Sequence, residues 1–221
     1  MSDAARLEEM AVQYLKLILA AERSAAIDLV MGAADKFPLE AVYIHLLQAA
    51  QYEVGRLWET GGISIAQEHY STAVTQLVMA RLYPRISETP KHGHTFLGTS
   101  VEGELHQVGL RMVCDVFELR GWKTIFLAGA GGMSEVLETA RDSQPDVIGI
   151  SIARETHLPA LSELIRNLRA NLPRPVPILV GGLPFIPYPD RWREVFADGT
   201  APDAVEAVGI SERLYLAGSS T

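Results

Sequence analysis

The amino-acid sequence predicts an α/β protein, with an N-terminal four-helix bundle followed by a Rossmann-like (flavodoxin-like) parallel-sheet domain. Apolar residues recur at helical spacing through residues 4–87, and no strand pattern interrupts them. Turn-forming and polar residues then cluster near residue 90. Beyond that point, short apolar runs alternate with amphipathic helices, as in layered α/β folds. We therefore expect a helical domain over residues 1–90 and an α/β domain over residues 91–221.

Breaks at Pro38 and at Gly61-Gly62 divide the helical half. Pro38 suits the first turn of a helix, because its missing N–H would have no partner there. Ser64 followed by Gln67 is typical of a capping box at a helix start. The expected helices cover residues 4–20, 22–35, 38–59 and 64–87. Short connections between them favour a compact bundle.

The second half shows four short apolar runs, each followed by an amphipathic segment. The expected strands cover residues 95–99, 124–128, 147–151 and 177–180. The expected helices cover residues 106–120, 133–142, 157–170 and 203–214. This alternation indicates right-handed crossovers and a parallel sheet covered on both faces. Ligands of such sheets bind at the carboxyl ends of the strands, so that edge is the expected site.

Composition and charge exclude several classes of protein. The 221 residues carry a formal net charge of −8, whereas nucleic-acid binding relies on Lys and Arg to neutralise phosphates. Direct binding of DNA or RNA is therefore not expected. Apolar runs such as residues 147–152 are far shorter than the roughly 20 residues that span a bilayer. A single cysteine, Cys114, and no N-terminal signal segment favour a cytoplasmic protein.

The loop after the first expected strand carries the residues best suited to chemistry. Glu104 lies two residues from His106, so the carboxylate can accept a hydrogen bond from one ring nitrogen and orient the other toward a metal. Gly109 would allow the close approach of a large flat group. The loop contains neither the G-x-G-x-x-G fingerprint nor a P-loop, so a dinucleotide or nucleotide-phosphate site is not indicated.

These residues, taken with others at the expected strand ends, resemble the cobalamin-binding Rossmann-like domain. The matching positions are Gly98-Thr99, Glu104-x-His106-x-x-Gly109, Ser151 and Gly181-Gly182. The resemblance implies that His106 is the lower axial cobalt ligand, in place of the cofactor's dimethylbenzimidazole, and that Glu104 is its hydrogen-bond partner. Glu104 departs from the commoner Asp of this motif and is similar to the Glu of cobalamin photoreceptors. Residues 197–204 also resemble the closing segment of the family.

The helical half is similar to the cap of adenosylcobalamin photoreceptors, such as the light-responsive MerR-type regulators. Trp58, nine intervening residues and then Glu68-His69 match the W-x9-E-H pattern of that family. The resemblance implies that adenosylcobalamin binds between the cap and the Rossmann-like domain, with Trp58 and Glu68 against the upper adenosyl group. It also implies that His69 becomes available to cobalt, or reorganises the bundle, once light breaks the cobalt–carbon bond.

This resemblance predicts a light-sensing signalling protein, and not an enzyme, whose output is a conformational or oligomeric change. No DNA-reading or enzymatic segment lies outside the two expected domains. We therefore expect the signal to pass through a homo-oligomer or a separate downstream protein partner. The resemblance extends to the stand-alone photocobilin type and leaves open a bilin such as biliverdin. Cys114 is badly placed for a thioether link, so such a bilin would be noncovalent.

Two alternatives remain open. The protein could be a corrinoid carrier that passes methyl groups between methyltransferase partners, although Glu104 and Trp58 weigh against it. It could also be a flavodoxin-like scaffold with a helical dimerisation domain, in which His106 is an ordinary loop residue and Trp58 a core aromatic. The remaining histidines, His45, His92, His94 and His157, show no partner spacing and are interpreted as structural or linker residues. Three glycines are expected at the corrin edge or in a tight turn: Gly129, Gly131 and Gly132.

Overall fold

The computed structural model describes residues 2–127 and 132–218, and the chain divides into two compact units, Met1–Glu88 and Thr89–Thr221. The first unit is helical and the second contains a parallel sheet between helices, so the expected fold class is confirmed. Gly129, Gly131 and the end of the expected second strand lie outside the described residues. Within the described ranges, no helix combines the length and apolarity needed to cross a membrane.

The helical unit follows the expected pattern, with one departure. Its helices are α1 (Asp3–Leu19), α2 (Arg23–Ala34), α3 (Leu39–Ala41), α4 (Ala49–Glu59) and α5 (Ile65–Ser87). A π-helical segment, Val42–Gln48, joins α3 to α4 without a break, where the sequence predicts an ordinary α-helix over residues 38–59. Val42, Tyr43 and Leu46 of this segment are fully buried, so packing stabilises the wider turn.

The start of α5 is fixed by its own side chains. The Gln67 backbone N–H donates to the Ser64 hydroxyl at 3.2 Å, and the Ser64 N–H donates to Oε1 of Gln67 at 3.0 Å. These two bonds form the expected capping box, which satisfies N–H groups that have no partner inside the helix.

Removal of this cap should weaken the helical unit measurably. We expect Ser64→Ala to lower the free energy of unfolding by about 1 kcal/mol, because an N-terminal N–H loses its acceptor. Urea unfolding followed by circular dichroism measures the change. Ser87→Ala, at the exposed C-terminal end of α5, is the control and should change stability less. Equal losses in the two variants would contradict a specific cap.

The second unit is built on a five-stranded parallel sheet. Its strands are β1 (Thr95–Ser100), β2 (Lys123–Leu127), β3 (Val147–Ser151), β4 (Ile178–Gly181) and β5 (Gly199–Thr200), in the order β2-β1-β3-β4-β5. Its helices are α6 (Val108–Leu119), α7 (Met133–Ser143), α8 (Leu158–Asn171) and α9 (Ala204–Gly218). Because β1 and β3 are neighbours, the loops that follow them meet at one edge of the sheet.

Both faces of the central strands β1 and β3 are buried. Leu97, Ile148 and Ile150 belong to the apolar cluster shared with α7 and α8. Phe96, the neighbour of Leu97 along β1, lies outside this cluster and stacks on Phe117 of α6 with ring centroids 3.8 Å apart. A continuous apolar composition along each central strand therefore reflects burial on both sides.

Cys114 of α6 packs directly against β1. A Cβ placed on Gly98 would lie 2.6 Å from the Cys114 sulfur, so the glycine makes room for this contact. Cys114 is buried, and burial raises the pKa of its thiol far above the ordinary value. The thiol is therefore held in its unreactive protonated form.

We accordingly expect the folded protein to resist thiol reagents. Cys114 should react with Ellman's reagent only as fast as the α/β unit opens, and rapidly once guanidinium unfolds it. Absorbance of the released thiolate follows the reaction. Fast stoichiometric labelling of the folded protein would contradict this burial.

Candidate functional site

Three strands of the sheet end in one row. Ser100 at the end of β1 is in register with Ser151 at the end of β3, which is in register with Gly181 at the end of β4. The carboxyl ends of parallel strands carry no further ladder, so the loops that leave them form a common surface. Ser151 and Gly181, both expected at the site from the sequence, are therefore neighbours there.

Glu104 lies in the loop above this row and is fully enclosed. Its side chain is 1% exposed, and its Oε1 accepts from the backbone N–H of His106 at 2.9 Å. The same Oε1 lies 2.6 Å from Nδ1 of the His106 ring. The expected contact between the two side chains is thus present, and it orients an imidazole that is 46% exposed.

The second oxygen of Glu104 ties this loop to the one after β3. Oε2 accepts from the backbone N–H of Ala153 at 2.7 Å and lies 2.9 Å from Nδ1 of His157. One buried carboxylate therefore holds two histidine rings and two backbone N–H groups. A carboxylate has the four acceptor directions that such an arrangement requires.

Electrostatics keep this carboxylate charged. Burial raises the pKa of Glu104, but hydrogen bonds from His106, from the Ala153 N–H and from His157 outweigh it and lower the pKa to about 2. At neutral pH the group is an anion that accepts from every neighbour and donates to none. The Nδ1–H tautomer of His106 is favoured, so coordination to a metal would use Nε2.

His157 is the residue that sequence reasoning missed. The sequence shows no partner spacing for it and predicts a structural or linker role, whereas the structure places it on Glu104, 53 residues away along the chain. It lies in a short 3₁₀ turn, Glu155–His157, immediately before α8. Only the adjacency of β1 and β3 brings the two loops together, and the spacing of residues along the sequence does not reveal that adjacency.

The expected glycines have different surroundings. A Cβ added to Gly109 or Gly181 would meet no atom within 4 Å, so both face open space. Gly182 has φ +102°, and a Cβ there would overlap the carbonyl oxygen of Ile152. The space beside Gly98 is occupied by the sulfur of Cys114, and Thr99 is fully buried in β1. Gly98, Thr99 and Gly182 thus have packing or backbone roles, and a cofactor contact for them stays a prediction.

Within the helical unit, the remaining expected residues lie near the turn between two helices. Trp58 is the residue before the last of α4, and Glu68 and His69 are in the first turns of α5. An oxygen of Glu68 hydrogen-bonds Nδ1 of His69. The Glu68 side chain is 22% exposed and that of His69 is 73% exposed. Trp58 is half-buried.

The carboxyl edge of the sheet fits a cobalamin. Across residues 2–127 and 132–218, no group of three or more His, Cys, Asp or Glu side chains could hold a bare metal ion. Cobalt held within a corrin would need only a single further donor from the protein. His106 is an oriented, half-exposed imidazole of that kind, and imidazole nitrogen is a suitable ligand for such metals. A Cβ added at Gly109 or at Gly181 would meet no atom within 4 Å, so the backbone at both positions permits the close approach of a ligand.

Comparisons with known proteins give the same assignment. A family profile described as a B12 binding domain matches residues 94–209, and a second profile with that description matches residues 10–83. A corrinoid protein of Desulfitobacterium hafniense is 30% identical over 168 residues, which cover 73% of this chain and 76% of that protein. Dimethylamine corrinoid protein 1 of Methanosarcina acetivorans is 26% identical over 212 residues, covering 94% and 98% of the two chains.

A third relative differs in length. The HTH-type transcriptional repressor CarH of Myxococcus xanthus is 29% identical over 147 residues, covering 66% of this chain and 48% of CarH. The chain therefore spans about half the length of that repressor.

Among solved structures, the monomethylamine corrinoid protein of Methanosarcina barkeri superposes with a TM-score of 0.80 at 22% identity. The match covers 93% of this chain and 98% of that one. At this identity it shows a shared fold and nothing further. Since the B12 binding domain profile matches more than half of the chain and includes the Glu104–His106 loop, the chain belongs to the B12 binding domain family.

Proposed function

We propose that this cobalamin-binding protein is a light sensor that holds adenosylcobalamin. In this proposal residues 91–221 form the cofactor domain, with His106 as the lower axial ligand and Glu104 as its partner. Residues 1–90 form the cap that supplies Trp58, Glu68 and His69 to the upper side. When bound, adenosylcobalamin supplies a cobalt–carbon bond that visible light breaks.

The observation that carries the light-sensing proposal is the Glu68–His69 contact in the first turns of α5. The contact holds Nδ1 of His69 and thereby orients an exposed ring. We propose that His69 is the residue through which the helical unit would respond to light. The output is a change of helix packing or self-association, which needs no catalytic base. The match to the transcriptional repressor CarH along 66% of this chain supports a signalling output.

The proposal is tested by loading the purified protein with adenosylcobalamin in darkness. We expect green light to change both the absorption spectrum and the elution volume in size-exclusion chromatography. Because unbound adenosylcobalamin is itself photolabile, the elution change is the decisive measurement. An elution volume unaffected by light, or tight selective binding of methylcobalamin, would contradict a sensor.

A matched pair of histidine variants sharpens this test. His69→Ala should retain cofactor binding and lose the light-driven elution change. His45→Ala removes a half-exposed histidine of the same unit that pairs with Glu8, and should behave as the wild type does. Loss of the response in both variants would show a general loss of helix packing instead of a role for His69.

A corrinoid carrier is the second candidate. Dimethylamine corrinoid protein 1 matches along 94% of this chain and 98% of its own length, and this nearly full-length match favours a carrier. A carrier would pass a methyl group between methyltransferase partners. In that case we expect a preference for methylcobalamin and an elution volume that does not respond to light.

Two further parts of the proposal are tested by the same samples. Size-exclusion chromatography coupled to light scattering measures the mass before and after light. A changed mass would show a change of homo-oligomeric state, and an elution change at constant mass would show a conformational change that a separate partner could read. A noncovalent bilin such as biliverdin would absorb in the red, where corrins absorb weakly, and should be lost on denaturation because Cys114 is buried.

A further inference from the structure

A chain of polar side chains runs through the helical unit from the first turns of α5 to the buried face of α1. The hydroxyl of Thr72 lies 3.0 Å from Oε1 of Glu68 and 3.3 Å from Oε1 of Gln51. Nε2 of Gln51 donates to Oγ1 of Thr75 at 2.7 Å. The Tyr14 hydroxyl lies 2.9 Å from the same Thr75 oxygen. The chain therefore joins α5, α4 and α1.

At the Thr75 end of this series of hydrogen bonds, the hydroxyl uses its donor and both of its acceptor sites. The Thr75 hydroxyl donates its one proton to the carbonyl oxygen of Ser71 at 3.1 Å. Its two lone pairs then accept from Gln51 and from Tyr14. Burial raises the pKa of Tyr14 to about 12, although the bond to Thr75 lowers it, so the phenol remains a donor. This arrangement fixes the direction of every bond at Thr75.

The Thr72 end has two acceptors for a single proton. A hydroxyl can donate one full hydrogen bond, and here it faces both a carboxylate oxygen and an amide oxygen. The Glu68 carboxylate is the nearer acceptor and, being charged, the stronger one. When Glu68 moves or gains another donor, the same proton can turn to Gln51. The Thr72 hydroxyl is thus an element with two discrete arrangements.

We propose that Thr72 and Gln51 are positioning residues for Glu68, a role that rests on the proposed function. The Thr72 hydroxyl sets the orientation of the Glu68 carboxylate. A change at Glu68 redirects that hydroxyl to Gln51 and reaches Tyr14 through Thr75. The cap would in this way report events at Glu68 to the packing of α1 against α4 and α5.

The proposal is tested on the full chain without cofactor, using tyrosine labelled with ¹³C at Cζ. The Tyr14 signal is identified by its loss in Tyr14→Phe. We expect Glu68→Ala to shift this signal, and we expect the shift to be lost in the Thr72→Val background. Thr72→Ser restores the hydroxyl and should restore the shift. An unchanged Tyr14 signal in Glu68→Ala, or an equal shift with and without Thr72→Val, would overturn the proposal.

Two further variants provide a control and an independent test of the same connection. Ser71→Ala alters the adjacent residue of α5, whose buried hydroxyl has no hydrogen-bond partner within the described part of the chain, and should leave the shift intact. Gln51→Met breaks the same connection from α4 and should abolish the shift even if Thr72→Val fails to fold. Retention of the full shift in Gln51→Met would also overturn the proposal.

The same variants, loaded with adenosylcobalamin, separate this proposal from the light-sensing function. We expect Thr72→Val to reduce the light-driven elution change and Thr72→Ser to restore it. If the wild-type protein shows no such change, the light-sensing function is contradicted. The Tyr14 signal of the cofactor-free chain still decides the roles of Thr72 and Gln51 in that case.

Discussion

Replacement of Glu104 with glutamine is expected to lower the free energy of unfolding by about 3 kcal/mol at neutral pH. The carboxyl has a pKa of about 2 in the fold against an ordinary value of 4.5, and each pKa unit corresponds to about 1.4 kcal/mol. Glutamine keeps the size of the side chain. Its amide NH₂ group, however, would face N–H donors that a carboxylate oxygen accepts from in the wild-type protein. Urea unfolding at pH 7 measures the loss.

The pH dependence of this loss follows from the lowered pKa. Because the folded pKa lies below the unfolded one, the stabilisation is fully present above about pH 4.5 and disappears as the pH falls toward 2. The difference between Glu104→Gln and the wild type should shrink across that window. A difference that is constant down to pH 2 would contradict a charged Glu104 in the folded state.

A nearby carboxylate provides the control. Glu155 pairs with Arg191, but its side chain is 65% exposed. Glu155→Gln should lower stability by less than about 1 kcal/mol, as is usual for exposed ion pairs. If both variants lost the same stability, the enclosed position of Glu104 would have no special effect.

Replacement of Gly182 with alanine is expected to prevent the α/β unit from folding stably. The residue has φ +102°, where an L side chain is strained, and its Cβ would overlap the Ile152 carbonyl oxygen. We expect a loss of about 4 kcal/mol or more, which is a large part of the stability of a typical domain. Thermal unfolding followed by circular dichroism measures it.

The adjacent Gly181 makes a sharp comparison. A Cβ at Gly181 would meet no atom within 4 Å, so Gly181→Ala should fold normally. It should nevertheless weaken cobalamin binding if the ring occupies the space that Gly181 faces. Equal destabilisation by the two alanines would contradict the difference in their surroundings. Unimpaired cobalamin binding by Gly181→Ala would remove Gly181 from the proposed site.

Much of the fold could be predicted from the sequence because burial patterns are local. The helical spacing of apolar residues predicts the helices of the first unit, and the short apolar runs predict β1 to β4. The strand β5, Gly199–Thr200, is too short to show a pattern and exists because it pairs with β4. The π-helical segment Val42–Gln48 has no distinct apolar period and is decided by packing.

Contacts in the candidate site likewise differ in whether the sequence predicts them. The contact between Glu104 and His106 spans two residues, so their spacing alone predicts it. The contact of Glu104 with His157 depends on the order of strands in the sheet, which periodicity does not provide. The path from Glu68 through Thr72 to Gln51 likewise requires the register of α4 against α5.

Electron paramagnetic resonance of bound cob(II)alamin tests the central claim, axial ligation of cobalt by His106, most directly. A ¹⁴N ligand splits each cobalt line into a triplet, and a ¹⁵N ligand splits it into a doublet. Protein labelled with ¹⁵N-histidine and loaded with unlabelled cofactor should give doublets, and His106→Ala should lose them. Triplets in the labelled wild-type protein would show that the cofactor's own dimethylbenzimidazole holds the cobalt, and would contradict the assignment of His106.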